Sequence, residues 1–364
     1  MRHRFHSLCP YYAMFPERFA EEWIERLTAP GEVVMDPFCG RGTTPFQALL
    51  MGRQAVASDV NPVAYCVTKA KTRAPALPVV ERRLRVLAKG FAADQWQGVL
   101  SGLPEFFHHA FHPDTLAQIA YLRDRLGWRK SDADCMIAAI VLGSLHGESH
   151  RSPAYLSNRM PRTISTKPAY SMRYWAAHGC RAPQRDAFSV VRDRLFFRYT
   201  TPPPAARGHT WNEDVRKLPE LAGRFPGPVS CVVTSPPYLG VTHYGEDQWL
   251  RLWFLGGASR PSRGCGSPDD RYHGAARYWA FISDFWRALG AVLAPRAHVV
   301  IRLGAHGLHH DDIIDGLKLS ARSAERPAKL KTHYVSSIRN RQTDVFRPGS
   351  AGCAFEVDCH FAVT

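Results

Sequence analysis

Apolar positions in the first part of the chain switch between two periods. In residues 15–27 (FPERFAEEWIERL), Phe19, Trp23, Ile24 and Leu27 recur three and four apart behind Pro16, which predicts an amphipathic helix. Pro30-Gly31 stops it, and residues 32–36 (EVVMD) form a short apolar run, as a buried strand would. A tight turn around Gly40 and Gly42 leads into a helix over 43–51, closed by Gly52. Residues 54–59 predict a second strand, and another helix begins at Pro62 and runs to Lys71. Strand, glycine turn, helix, strand is one βαβ unit.

Residues 77–204 lack that alternation. Helical patterns occupy 80–91, 115–126, 133–145 and 183–197. Between them, 149–179 is irregular, basic and aromatic, and 200–204 has the proline content of a linker. The α/β pattern resumes near Thr210. It gives a strand at 229–234, a Trp- and Leu-rich helix ending near 255, a polar loop over 260–274, a helix at 278–293 and a strand at 298–303. The tail, 354–363, alternates like an edge strand with Phe355, Val357, Cys359 and Phe361 on one face. The predicted fold class is therefore α/β: a Rossmann-like sheet with helices on both faces, formed by 1–76 and 205–364, carrying a largely helical insertion at 77–204.

A chain of 364 residues suffices for this arrangement. No apolar run reaches the roughly 18 residues of a membrane span, and the first residues lack the apolar core of a secretory signal. Nine cysteines without a CxxC pair predict reduced thiols and a cytoplasmic location. His108-His109 and His309-His310 are isolated pairs, so no metal is expected. The formal charge of +15 changes the picture more, because a chain so basic attracts polyanions, of which nucleic acid is the commonest.

Two motifs carry chemistry. The first is DPFCGRGTT, Asp36 to Thr44, between a strand and a helix. Its glycines let the chain turn sharply and let a ligand approach without a Cβ in the way. Asp59 ends the next strand, nineteen residues after Gly40, where dinucleotide folds hold ribose hydroxyls. The second is TSPPY, Thr234 to Tyr238, at the end of an apolar strand. Its two prolines stiffen the loop and cannot donate, leaving carbonyls to accept beside an aromatic ring. One motif suits a nucleoside cofactor and the other an amino group on a flat base.

Together these motifs resemble the amino-group DNA methyltransferases, which make N4-methylcytosine or N6-methyladenine, and they are most like the N4-cytosine enzymes. The resemblance covers about residues 5–75 and 205–255. It implies S-adenosyl-L-methionine as cofactor, held by Phe15, Asp36, Phe38, Gly40, Gly42 and Thr43, with Asp59 on the ribose and Asp214 meeting the adenine amino group. It makes Ser235, Pro236, Pro237 and Tyr238 the catalytic loop. Ser235 and the Pro236 carbonyl would accept the amino hydrogens, and Tyr238 would stack on a flipped cytosine. Double-stranded DNA is the implied partner, joined by a cognate restriction endonuclease where the enzyme serves a restriction–modification pair. Arg159, Arg162, Lys167 and Arg173 in the insertion, with Arg339 and Arg341 near the tail, are the expected DNA contacts. N6-adenine methylation by the same residues, guanine-N2 methylation of RNA and a silent DNA-binding scaffold stay open, as do the recognition sequence and the oligomeric state.

Overall fold

The computed structural model describes residues 2–11, 15–147, 155–159, 167–239, 247–261, 274–305, 307–337, 353 and 355–364. The chain divides into two compact units, one of residues 14–68, 204–243 and 265–364, the other of 1–13, 69–203 and 244–264. The helical unit thus takes in the N-terminal residues and the segment 244–264 besides the insertion. No helix of the described residues is long and apolar enough to cross a membrane.

The first unit is built on a seven-stranded sheet. Its strands are β1 (Val33–Asp36), β2 (Gln54–Ser58), β3 (His209–Trp211), β4 (Val229–Thr234), β5 (Leu293–Leu303), β6 (Ala328–Ser337) and β7 (Phe355–Val363), in the order β3-β2-β1-β4-β5-β7-β6. The first five are parallel, and β7 runs antiparallel between β5 and β6. The order reverses between β1 and β4, so the carboxyl ends of those two strands border the crevice where open α/β sheets take ligands. This is the Rossmann-like α/β sheet expected.

Both faces are covered, which is why β1 is apolar at consecutive rather than alternate positions. Val33 and Met35 join Phe281, Ile282, Phe285 and Trp286 of the helix Ala275–Gly290 on one face. Val34 joins Phe19, Trp23 and Ile24 of the helix Glu17–Leu27 and Leu49 of the helix Thr43–Leu50 on the other.

The tail departs from expectation. β7 is an interior strand with both neighbours paired, and β6 forms the edge. Val357, Cys359 and Phe361 are buried as foreseen, but so are Asp358 and His360 on the opposite face. Asp358 is stabilised there by Arg302, and His360 packs against Trp23. Lys329 and Lys331 stand on β6, which runs through Ser337. Arg339 and Arg341 lie outside the described residues.

The second unit is helical. The helix Asp132–Leu142 is buried from Asp134 onward, the mark of a central helix. Phe107 and Trp253 meet at 4.5 Å between ring centroids, and Phe106 contacts both Trp175 and Trp249. Arg251, fully buried, donates through Nε to the Leu142 carbonyl. Within the segment expected to be irregular, Pro168–Ala177 is a helix whose Trp175 is a core residue rather than a surface aromatic. Arg159, Lys167 and Arg173 are exposed, while Arg162 lies outside the described residues.

Candidate active site

The glycine loop follows β1. Gly40 and Gly42 have φ of 48° and 72°, in the left-handed region that side chains resist. At Gly42 space is a second constraint, since a Cβ would come within 2.6 Å of Thr68 Oγ1. The loop is tied down by the Gly40 amide, which donates to Asp59 Oδ2 at 2.8 Å. The other Asp59 oxygen accepts from the Asn61 amide, and Asn61 in turn caps the following helix at Val63. Asn212, just past β3, donates to the Asp59 carbonyl. Asp59, half-buried, thus ties together the ends of β2 and β3 and the glycine loop after β1.

Arg41, buried within the loop, donates to Thr43 Oγ1 and reaches the Phe15 carbonyl at 3.5 Å. This links the residue ahead of the first helix, a candidate through the family resemblance alone, to the loop. Phe38 turns into the core against Phe281 and Phe285. Asp214 is engaged otherwise than expected. Both its oxygens accept from the Arg216 guanidinium and one also caps the Arg216 amide, so its carboxylate is committed locally.

The two motifs meet directly. Thr234 Oγ1 donates to Asp36 Oδ1 at 2.6 Å, and Thr44 Oγ1 donates to the Val233 carbonyl at 2.9 Å. Asp36 is almost wholly buried, and burial pushes its carboxyl up to about 7 despite the Thr234 and Phe38 hydrogen bonds. Adjacent strands β1 and β4 make this contact possible, although 198 residues separate the partners.

Ser235 and Pro237 are half-buried, and Pro236 and Tyr238 are buried. Tyr278 donates its hydroxyl to the Pro237 carbonyl at 2.9 Å, fixing the loop from the helix beneath. Tyr238 differs from the stacking ring foreseen. It is 8% exposed, and its hydroxyl donates to Glu356 Oε1 at 2.8 Å. Burial, reinforced by the Glu356 charge, holds the phenol well above its ordinary range.

Sequence reading missed Arg41, Asn212, Tyr278 and Glu356. Only Arg41 lies inside a motif; the others reach the site through pairings no local pattern marks. His309, His310 and Asp311 place ligand-type atoms within 4.8 Å of one another, but at the exposed start of the helix His310–Ala321, where His309 and Asp312 form a capping box.

Known proteins match part of this chain. The N6/N4 amino-methyltransferase family model, described as DNA methylase, matches residues 3–69. The Type II methyltransferase M.MjaII of Methanocaldococcus jannaschii is 30% identical over 66 residues, 18% of this chain and 12% of that protein. The orphan methyltransferase M.BamHII of Bacillus amyloliquefaciens is 39% identical over 54 residues, 15% of this chain and 20% of that one. The matches therefore span at most a fifth of these relatives. Among solved structures, the rRNA methyltransferase aviRa of Streptomyces viridochromogenes aligns with 97% of this chain and 87% of its own at 16% identity and a TM-score of 0.34. The resemblance to the amino-group DNA methyltransferases thus holds over residues 3–69, the segment that carries Phe15, the glycine loop and Asp59.

Proposed function

We propose that the chain transfers a methyl group from S-adenosylmethionine to the exocyclic N4 of a cytosine in DNA. The observation that carries the reading is the Thr234–Asp36 hydrogen bond, which joins the glycine loop to the Ser-Pro-Pro-Tyr loop at the sheet's reversal point. A cofactor loop and an acceptor loop sharing one crevice is what methyl transfer to an amine requires.

The residues present fit an adenosine-containing cofactor. Gly40 and Gly42 keep the loop free of side chains ahead of the helix Thr43–Leu50, and Asp59 offers a carboxylate to ribose hydroxyls. When bound, S-adenosylmethionine supplies an electrophilic methyl on a sulfonium. The chain's own task is to make an amine nucleophilic whose lone pair is delocalised into a ring. Since Tyr278 occupies the Pro237 carbonyl, the acceptors assigned to the two amino hydrogens are the Ser235 hydroxyl oxygen and the Pro236 carbonyl. Accepting both hydrogens localises the lone pair and stabilises the positive charge that develops on nitrogen. No thiol is required, in keeping with a buried, protonated Cys39 whose thiol is pushed well up by burial. Arg159, Lys167 and Arg173 are the proposed DNA contacts on the helical unit.

The test is labelled S-adenosylmethionine with unmethylated duplex DNA, and in parallel RNA, followed by nucleoside identification. N4-methylcytosine is expected. N6-methyladenine would keep the amine chemistry and replace the base, and label confined to RNA would overturn the DNA assignment. Ser235→Ala should lower turnover by about 10²–10³-fold, the usual cost of one aligned transition-state partner, with cofactor binding intact. Full turnover in this variant would remove Ser235 from the mechanism.

A further inference from the structure

We propose that Arg4 and Arg198, gathered around the Phe197 ring on the helical unit, bind a phosphate of the DNA backbone. The proposal rests on DNA as the substrate and not on which base is methylated.

The two cations come from distant parts of the chain. Arg4 opens the short turn Arg4–Ser7, and Arg198 ends the helix Ala187–Arg198. The Arg198 guanidinium pins turn to helix: its Nη1 donates to the Arg4 carbonyl at 3.0 Å and to Ser7 Oγ. Both guanidiniums then share one ring. Arg4 Cζ lies 4.3 Å from the Phe197 centroid, and Arg198 Cζ lies 5.4 Å from the same point. Arg4 is exposed, Phe197 is 45% exposed and its neighbour Phe196 44%, so this cluster faces solvent.

The pair lacks a counter-charge. Among the described residues neither Arg4 nor Arg198 is ion-paired, whereas Arg83, Arg216 and Arg302 each hold an aspartate. Asp193, the one acid of the helix Ala187–Arg198, stands against Arg192 at 3.7 Å. Burial, with Arg194 and Arg4 nearby, pushes the Arg198 guanidinium down to about 10. The carbonyl end of a helix favours one cation, which accounts for Arg198 but not for a second. Two like charges held together by the fold are a cost that an anion removes.

The donors left over suit a phosphate. A guanidinium over a ring spends its face on the ring and keeps its in-plane N–H groups for an anion. Arg4 makes no side-chain hydrogen bond among the described residues, and Arg198 commits only Nη1, leaving Nε and Nη2. Two guanidinium edges side by side can meet more than one oxygen of a phosphate. The exposed Phe196 and Phe197 rings offer apolar surface to the sugars that flank a phosphate in a polymer, and a chain of charge +15 draws such a polymer in.

The experiment uses the full chain with Arg4→Gln, Arg4→Lys and Phe197→Leu. It measures binding to duplex DNA and to RNA as a function of salt, S-adenosylmethionine binding, melting temperature, and kcat at saturating DNA. Arg4→Gln leaves in place the backbone carbonyl that Arg198 holds. It should reduce the slope of log K against log salt on any duplex sequence by about 1, the value of one phosphate contact. Its kcat, cofactor binding and melting temperature should match those of the wild type. Arg4→Lys keeps the charge and should keep the slope. Phe197→Leu should also keep the slope, and weaken binding about two- to fivefold by freeing the guanidinium it supports. An unchanged slope in Arg4→Gln would overturn the proposal, and a lower melting temperature beside it would make the cluster a support for the turn Arg4–Ser7. A slope reduced for RNA alone would overturn it as well. The reaction is tested separately: a protein that labels no DNA yet loses slope in Arg4→Gln keeps this site, and one that methylates DNA with the slope intact keeps the reaction and loses the site.

Discussion

At the scale of the residue, Asp36 combines two demands that conflict. Its position requires burial beneath two loops, and burial disfavours its charge, raising the carboxyl from 3.8 to about 7. Between those values the folded chain holds a proton that the unfolded chain has released. Stability therefore falls as pH rises from about 4 to 7, the reverse of the behaviour of a salt-bridged carboxylate. Asn at this position keeps an oxygen for the Thr234 hydroxyl and the Phe38 amide but has no proton to lose. Asp36→Asn should flatten the dependence of unfolding free energy on pH in that window; denaturant titrations at several pH values check it, and an unchanged slope would assign the titration elsewhere. How legible such residues were follows from distance along the chain. Asp59 could be placed because its partner, Gly40, lies in the same βαβ unit, whereas the Asp36–Thr234 bond needed the sheet order before it could be seen.

At the scale of the element, the strands that position the site were legible and the closing hairpin was not. Strands β1, β2 and β4 announce themselves as compact apolar runs bounded by turn residues, since a parallel strand covered on both faces has no polar side. The sequence Lys329–Ser337 conceals a strand because its exposed edge is free to carry Lys329, Lys331 and His333, the charged and polar decoration that discourages pairing with another chain. β7 was expected at the edge because its apolar residues alternate; tertiary partners, Arg302 and Trp23, are what allow the intervening Asp358 and His360 inside. The order predicts a contrast in hydrogen exchange. Amides of Val357 to Phe361, bonded between two strands, should be among the slowest to exchange, and the outward amides of β6 markedly faster. Equal rates would contradict the placement of β6 at the edge.

At the scale of the whole molecule, the charge of +15 has to be reconciled with where the cations stand. Several are absorbed structurally: Arg302 by Asp358, Arg83 by Asp134, and Arg251 by the Leu142 carbonyl in the helical core. Arg159, Lys167 and Arg173 are exposed instead, ahead of and within the helix Pro168–Ala177, with Tyr170 half exposed in the same helix. If they neutralise DNA phosphates, their contribution appears in the salt dependence of binding, because each neutralised phosphate releases condensed counterions and steepens the slope of log K against log salt by about 0.9. Replacing all three with Gln should weaken binding to any duplex sequence alike and reduce that slope by about 2–3, while S-adenosylmethionine binding and melting temperature stay as they were. A sequence-dependent loss would make one of the three a base reader instead. An unchanged slope would show them to be a solvated face and move the search for phosphate contacts to other cations of the chain.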